Sequence, residues 1–173
     1  MFGPRCQRRS LSAMRMFAVL ACFSLGAPAL GEDAKAKQPA SALEQEKAKG
    51  KEYLEKAAKE QGAVKTKSGM VYVPLKQGTG QKPWASNTVR VHYSGKLVDG
   101  KVFDASDPKQ PIEFPLQGVI ACWTEGLQQM KVGGKAKLVC PPELAYGDQA
   151  VGNGLIPAGS TLVFEVELLA VVK

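Results

Sequence analysis

From residue 69 to residue 173, apolar side chains recur at every second position in several short segments. This is the period of a β-strand with one buried face, because successive side chains on a strand point to opposite sides of the sheet. The strands predicted in this way are 71–76, 89–94, 136–140 and 162–168, with a hairpin at Asp99-Gly100. Among them, only residues 123–130 favour a helix. The pattern predicts an α+β domain over residues 68–173, in which a curved antiparallel β-sheet wraps around one short helix.

The first 31 residues have the features of a secretory signal peptide. Four arginines precede an apolar run, residues 16–25, which is too short to span a bilayer. The small residues Ala29 and Gly31 occupy the positions that a signal peptidase recognises, which predicts cleavage near Gly31 and export into a bacterial periplasm.

Three alternatives for this leader stay open. Cys22 ends a loose lipobox, so the chain could be an outer-membrane lipoprotein, and only this case would give the protein a membrane contact. The pair Arg8-Arg9 could belong to a twin-arginine signal, although Arg15 beside the apolar run weakens that interpretation. Translation could also begin at Met14 instead of Met1.

The net charge of +7 is a property of the leader more than of the remaining chain. The four leader arginines have no acidic residue near them, and without them 19 basic residues face 16 acidic ones. Such a balance gives no reason to expect a nucleic-acid partner.

Residues 32–67 predict a linker followed by a charged helical arm. The segment 32–40 has no hydrophobic periodicity and predicts a disordered linker. Ser41 and Glu44 form the S-x-x-E capping box of a helix that extends to about Glu60. Its apolar stripe is weak and Gly50 interrupts it, which favours an exposed, partly frayed helix. The alternative is a dimerisation or substrate-gripping arm through residues 41–60.

Several classes of catalytic site lack the necessary residues. The only histidine, His92, lies on the polar side of its predicted strand, so nucleophilic catalysis has no inward-facing base. The sequence contains neither C-x-x-C nor H-x-x-x-H, and its glycines form no phosphate-binding fingerprint. We therefore expect no metal and no cofactor.

A series of short motifs occurs in one order through the predicted domain. The motifs are Val91-His92-Tyr93-Ser94-Gly95, Asp99-Gly100-Lys101-Val102-Phe103-Asp104, Val119-Ile120-x-x-Trp123-x-x-Gly126-Leu127, Lys131-Val132-Gly133-Gly134, Leu144-Ala145-Tyr146-Gly147, Ile156-Pro157 and Thr161-Leu162-Val163-Phe164-Glu165-Val166-Glu167-Leu168. Together they resemble the signature of the FKBP-type peptidyl-prolyl cis-trans isomerases over about residues 68–172. Upstream, Ser68-Gly69-Met70-Val71-Tyr72 is similar to the first strand of the exported Mip-like branch of that family.

The resemblance implies an apolar pocket that binds proline. Its substrate-binding residues would be Tyr93, Phe103, Asp104, Ile112, Val119, Ile120, Trp123, Tyr146, Leu155 and Phe164. The catalytic group among them would be Tyr93, Phe103, Asp104, Trp123, Tyr146 and Phe164. Ile112 stands where an aromatic residue is frequent, and the segment between Phe114 and Val119 is short, so substrate preference is left open.

The resemblance also implies a role for each group. Trp123 would form the floor beneath the pyrrolidine ring, while the Tyr146 hydroxyl and the amide of Ile120 would donate to substrate carbonyls. Asp104, expected to be a buried carboxylate that needs partners, would orient polar neighbours or meet the rotating carbonyl. Phe114, Leu162 and Val166 are expected to be core residues only, and Trp84 a surface or loop residue. Without the resemblance, Tyr93 and Phe164 would also be interpreted as core residues.

The implied activity is the rotation of X-Pro bonds in exported proteins during folding. The implied partners are unfolded or partly folded proline-containing polypeptides, and macrolide inhibitors of the rapamycin type. A periplasmic chaperone or docking module that holds proline segments with incidental catalysis would use the same pocket, so the sequence does not separate the two.

Cys122 and Cys140 form a possible disulfide. By strand parity Cys140 faces the core, and Cys122 begins the helix that the sheet covers. In an oxidising compartment such a bond would contribute about 3 kcal/mol in the chain-entropy model. The alternative is two buried free thiols.

Overall fold

The computed structural model describes residues 41–172. The expectations for the leader, for Cys22 and for the linker 32–40 concern residues outside this range. In the described range the elements are α1 (Ala42–Ala57), β1 (Val64–Lys65), β2 (Val71–Lys76), β3 (Thr88–Leu97), β4 (Val102–Ala105), β5 (Ile112–Pro115), α2 (Ala121–Leu127), β6 (Lys135–Cys140) and β7 (Leu162–Val172), with a short 3-10 helix at Pro142–Leu144. No helix in this part of the chain has the length and apolar character needed to cross a bilayer.

The strands form one open antiparallel sheet in the order β1-β2-β6-β7-β3-β4, and β5 also pairs with β3. The long strand β3 pairs with β7 from Thr88 opposite Val172 to Leu97 opposite Leu162. On its other side, β5 covers the first half of β3 and β4 covers the second half. The α+β class predicted from the sequence is confirmed.

One face of the sheet carries the alternating apolar residues and packs on α2. Leu138, Leu162 and Val166 are fully buried there, as their strand parity predicts. The helix begins two residues before the predicted start and ends at Leu127, because residues 128–129 form a turn. It lies so close to β6 that a Cβ on Gly126 would be 2.7 Å from the Leu138 methyl groups.

The hairpin at Asp99-Gly100 is confirmed. The amide of Leu97 donates to the carbonyl of Lys101 over 2.9 Å, and Gly100 has a φ of +90°. Only glycine adopts this left-handed conformation without a steric cost, so the turn has a local sequence cause. It places β4, with Phe103 and Asp104, beside β3.

The expectation of an exposed, frayed α1 is wrong. The capping box is present, since Ser41 and Glu44 bond each other's backbone amides. The helix then packs on the outer face of the sheet, where Ala57 is only 1% exposed. The outward positions beneath the helix are valines on three neighbouring strands: Val71, Val73, Val139 and Val163. This apolar patch is formed by residues distant in sequence, so the helix pattern alone did not reveal it.

Gly50, which interrupts the apolar stripe of α1, packs against Thr161, the residue before β7. A Cβ at this position would overlap the hydroxyl of Thr161 and lie 2.8 Å from its Cβ. Thr161 is itself 1% exposed and cannot move into solvent. The glycine is therefore required by packing, and it does not mark a weak helix.

Candidate functional site

A cavity of about 310 Å³ opens between α2, the hairpin and the β6–β7 connection. Its volume is within the range of about 300–1,000 Å³ that is usual for ligand pockets. The lining residues are Tyr93, Phe103, Asp104, Phe114, Gly118, Val119, Ile120, Trp123, Tyr146 and Phe164. They come from β3, β4, β5, α2, β7 and two loops, so the tertiary fold assembles the site.

Trp123 is the centre of an aromatic cluster at the base of this cavity. Its ring centroid lies 5.2 Å from that of Tyr93, 5.5 Å from Phe114 and 5.4 Å from Phe164. Each pair meets edge to face, the arrangement that the ring quadrupoles favour. Phe103 extends the wall through its contact with Phe164, at 5.6 Å. The base and walls of the cavity are therefore formed largely by aromatic rings in mutual contact.

The indole N–H of Trp123 is buried and has no hydrogen-bond partner within residues 41–172. An unpaired buried donor destabilises a fold and is uncommon in proteins. Trp123 thus contributes its ring to the cavity floor without a hydrogen bond from its N–H within the described residues.

The polar groups of the cavity lie at its rim. The Tyr93 hydroxyl donates to Asp104 Oδ2 over 2.7 Å. Burial, and then the bond to Asp104, raise the pKa of the Tyr93 hydroxyl above its ordinary value. The expected burial of Asp104 is wrong, since this residue is exposed and β4 lies at an edge of the sheet. Its carboxylate thus has oxygen atoms open to solvent or to a ligand.

Two hydrogen-bond donors at the rim have no acceptor within the described residues. The hydroxyl of Tyr146, a residue that is 38% exposed, forms no hydrogen bond there. The amide of Ile120, the residue before α2, also has none, although the Ile120 carbonyl accepts from Trp123 and Thr124. Both donors are available to a bound carbonyl group.

Eight of the ten residues implied by the resemblance border the cavity, and the other two, Ile112 and Leu155, do not. Phe114 and Gly118 complete the lining, so the expectation that Phe114 is only a core residue is wrong. The register of β5 places Phe114 opposite Val89, from where its ring reaches Tyr93 and Trp123. The sequence signal was an aromatic residue two positions after Ile112, on the same side of the strand. Trp84 is 75% exposed, as expected.

A larger cavity of about 450 Å³ lies among His92, Ser106, Lys135, Glu165 and Glu167. Tyr93, Ser94, Ala105 and Pro108 complete its lining, but Trp123, Phe103, Phe114 and Phe164 do not border it, so we do not assign it to the proline site. Within residues 41–172, no group of three or more His, Cys, Asp or Glu side chains is placed to hold a metal ion.

The structure has a disulfide between Cys122 and Cys140, with their Cα atoms 5.7 Å apart. Both residues are fully buried. The bond joins the first turn of α2 to the end of β6, immediately beside Trp123.

Comparisons with known proteins agree with this fold. Residues 79–169 match the family described as FKBP-type peptidyl-prolyl cis-trans isomerase, and residues 11–73 match the domain amino terminal to it. FkpA of Escherichia coli K12, an FKBP-type peptidyl-prolyl cis-trans isomerase, is 53% identical over 139 residues, which are 80% of this chain and 50% of that protein. The FKBP-type 22 kDa isomerase of the same organism is 50% identical over 125 residues, covering 72% of this chain and 60% of that protein.

Solved structures give the same result. The crystal structure of FkpA from Escherichia coli has a TM-score of 0.71 and covers 75% of this chain and 60% of its own. A peptidyl-prolyl cis-trans isomerase from Pseudomonas syringae has a TM-score of 0.71 at 38% identity, covering 79% of this chain and 100% of its own. The chain spans about half the length of the FkpA proteins that it matches. It belongs to the family of FKBP-type peptidyl-prolyl cis-trans isomerases.

Proposed function

We propose that this chain accelerates the cis–trans rotation of X-Pro peptide bonds. The observation that carries the proposal is the aromatic cavity with Trp123 at its base and two donors at its rim that have no acceptor within the described residues. In the proposed complex the cavity holds the five-membered ring, and the Tyr146 hydroxyl and the Ile120 amide donate to the neighbouring carbonyl groups.

The chemistry requires no nucleophile. Rotation of an amide loses its resonance, and the barrier is roughly 18–20 kcal/mol. The two isomers of an X-Pro bond differ by only about 0.5–1 kcal/mol, so the catalyst changes the rate and leaves the equilibrium almost unchanged. Each 1.36 kcal/mol by which the site favours the twisted amide over the planar one gives about a tenfold increase in rate.

The cavity favours the twisted amide through its low polarity. A planar amide is strongly polar because resonance separates its charges, and twisting removes much of that separation. An environment of Trp123, Phe103 and Phe164 solvates the planar form poorly and the twisted form comparatively well. The pyrrolidine ring would pack on the Trp123 indole, with Val119 and Ile120 beside it.

The rim groups would fix the flanking peptide. The Tyr146 hydroxyl and the Ile120 amide donate to substrate carbonyls. Asp104, held by the Tyr93 hydroxyl, keeps one oxygen free to orient polar neighbours or to meet the rotating carbonyl. These contacts hold the chain on both sides while the central bond turns.

A protease-coupled assay on a proline peptide tests the proposal. We expect Trp123→Ala and Asp104→Ala each to lower kcat/KM at least tenfold, and Tyr146→Phe to lower it about fivefold, since each tenfold corresponds to about 1.4 kcal/mol of transition-state binding. Trp84→Ala is the matched control, because this tryptophan is exposed and does not line the cavity. Circular dichroism confirms that each variant is folded. Unchanged rates in all three site variants would refute the site.

The finer features of the chain are part of the same proposal. The substrates are unfolded or partly folded proline-containing polypeptides, and a rapamycin-type macrolide competes for the cavity. The arginine-led apolar segment of the first 31 residues supports export to the periplasm, as in the Mip-like branch. Fractionation of cells that express the full chain, with a Cys22→Ser variant, distinguishes a free periplasmic protein from a lipoprotein.

A further inference from the structure

Residues 141–161 connect β6 to β7 and carry Tyr146. Two backbone bonds close this loop: the amide of Gly147 donates to the carbonyl of Pro142 over 2.8 Å, across the turn that contains Tyr146, and the amide of Gly159 donates to the carbonyl of Gly147 over 3.0 Å, which closes the segment 147–159. The position of Tyr146 therefore depends on where Gly147 and Gly159 are held.

Besides the packing of Gly50 on Thr161, helix α1 contacts this loop at Gly159 and at Asp148. A Cβ on Gly159 would lie 2.6 Å from the Leu43 Cδ1 and 3.1 Å from the Lys47 Cγ, so the helix rests directly on the loop backbone. The Lys47 ammonium also lies 2.6 Å from the Asp148 carboxylate, two residues after Tyr146. One side chain of α1 thus contacts both ends of the closed segment.

We propose that Lys47 and Asp148 are positioning residues for Tyr146, and that α1 holds the loop so that the Tyr146 hydroxyl stays at the rim of the cavity. The proposal rests on the proposed function, in which this hydroxyl donates to the substrate. The ion pair is 40% and 54% exposed and contributes little to folding stability. A small displacement of a donor is nevertheless enough to weaken a transition-state contact.

The test compares Lys47→Glu with Lys51→Glu in the full chain. Both variants change the charge of α1 equally, and Lys51 is exposed without an ion pair in the described residues. We expect Lys47→Glu to lower kcat/KM about two- to threefold, within the range of an exposed ion pair, and Lys51→Glu to leave it unchanged. The charge exchange Lys47→Glu with Asp148→Lys should restore the activity.

A double-mutant cycle separates positioning from a general structural effect. If Lys47 acts through the Tyr146 hydroxyl, Lys47→Glu has no further effect in a Tyr146→Phe background. The same loss in both backgrounds, or an equal loss in Lys51→Glu, would overturn the proposal.

A second readout does not require activity. In ¹H–¹⁵N spectra, Lys47→Glu should shift the amide resonances of Tyr146 and Gly147, whereas Lys51→Glu should not. Unshifted resonances in Lys47→Glu would overturn the positioning role. If the unmodified chain is inactive, the proposed function fails, and these spectra still decide the contact between α1 and the loop.

Discussion

Gly50→Ala gives opposite results for the two interpretations of α1. In an exposed helix, replacing glycine with alanine stabilises by about 0.8–1.0 kcal/mol because glycine has the larger backbone entropy to lose. In the structure, the new methyl group would lie 2.8 Å from the Thr161 Cβ and overlap its hydroxyl. Thr161 is β-branched and buried, so it has no free rotamer into which to move.

The magnitude follows from these two opposing terms. Overpacking a close contact costs typically about 1–3 kcal/mol, which exceeds the gain in helix propensity. We therefore expect Gly50→Ala to lower the free energy of unfolding by about 1 kcal/mol, and the melting temperature by about 4 °C. Ala48→Gly is the matched control, since Ala48 is exposed on the same helix and its change measures propensity alone, at about 1 kcal/mol of destabilisation.

Urea denaturation followed by circular dichroism measures both variants against the unmodified chain. A Gly50→Ala protein that is more stable than the unmodified chain would refute the docking of α1 at Thr161. The Ala48→Gly variant must show its expected loss of stability for the comparison to be valid. That loss shows that α1 unfolds together with the sheet, so that the measurement is sensitive to changes in the helix.

Three further predictions concern the cavity and its supports. Gly126→Ala should displace α2, lower the free energy of unfolding by about 1–3 kcal/mol and lower the isomerase activity. Adding Leu138→Ala removes the methyl groups that the new Cβ would meet, so it should restore part of the activity. If the double variant shows no recovery, the contact between Gly126 and Leu138 is not the cause. Without reductant, Cys122 and Cys140 should resist alkylation after unfolding, and two alkylated thiols at these positions by mass spectrometry would contradict the disulfide. Reduction of the bond should lower the free energy of unfolding by about 3 kcal/mol. The raised pKa of Tyr93 means that folding favours its protonated hydroxyl. The contribution of this hydroxyl to the free energy of unfolding is therefore complete below about pH 10, the ordinary tyrosine value, and is lost as the pH rises further. Tyr93→Phe should show a smaller fall in stability between neutral and alkaline pH than the unmodified chain, and equal falls would contradict this prediction.

Strands β2, β3, β6 and β7, the hairpin and the start of α1 could be predicted because their causes are local, whereas β1 and β5 were not predicted. Alternation of apolar residues depends on neighbours two positions apart, and Asp99-Gly100 sets its turn by its own backbone preferences. The capping box of Ser41 and Glu44 likewise needs only one turn of helix. Eight residues of the cavity were accessible as well, through the spacing of family motifs along the chain.

Only the tertiary structure decided which face of each element is covered, and by what. The alternation at Val139 and Val163 separates two faces, but it cannot show that the outer face is covered by a helix more than 70 residues away in sequence. Phe114 joins the cavity because the register of β5 turns its ring towards Trp123, and Gly50 is required because Thr161 lies against it. Periodicity determines the geometry of a single element, whereas contacts between elements depend on chain folding that brings distant side chains together.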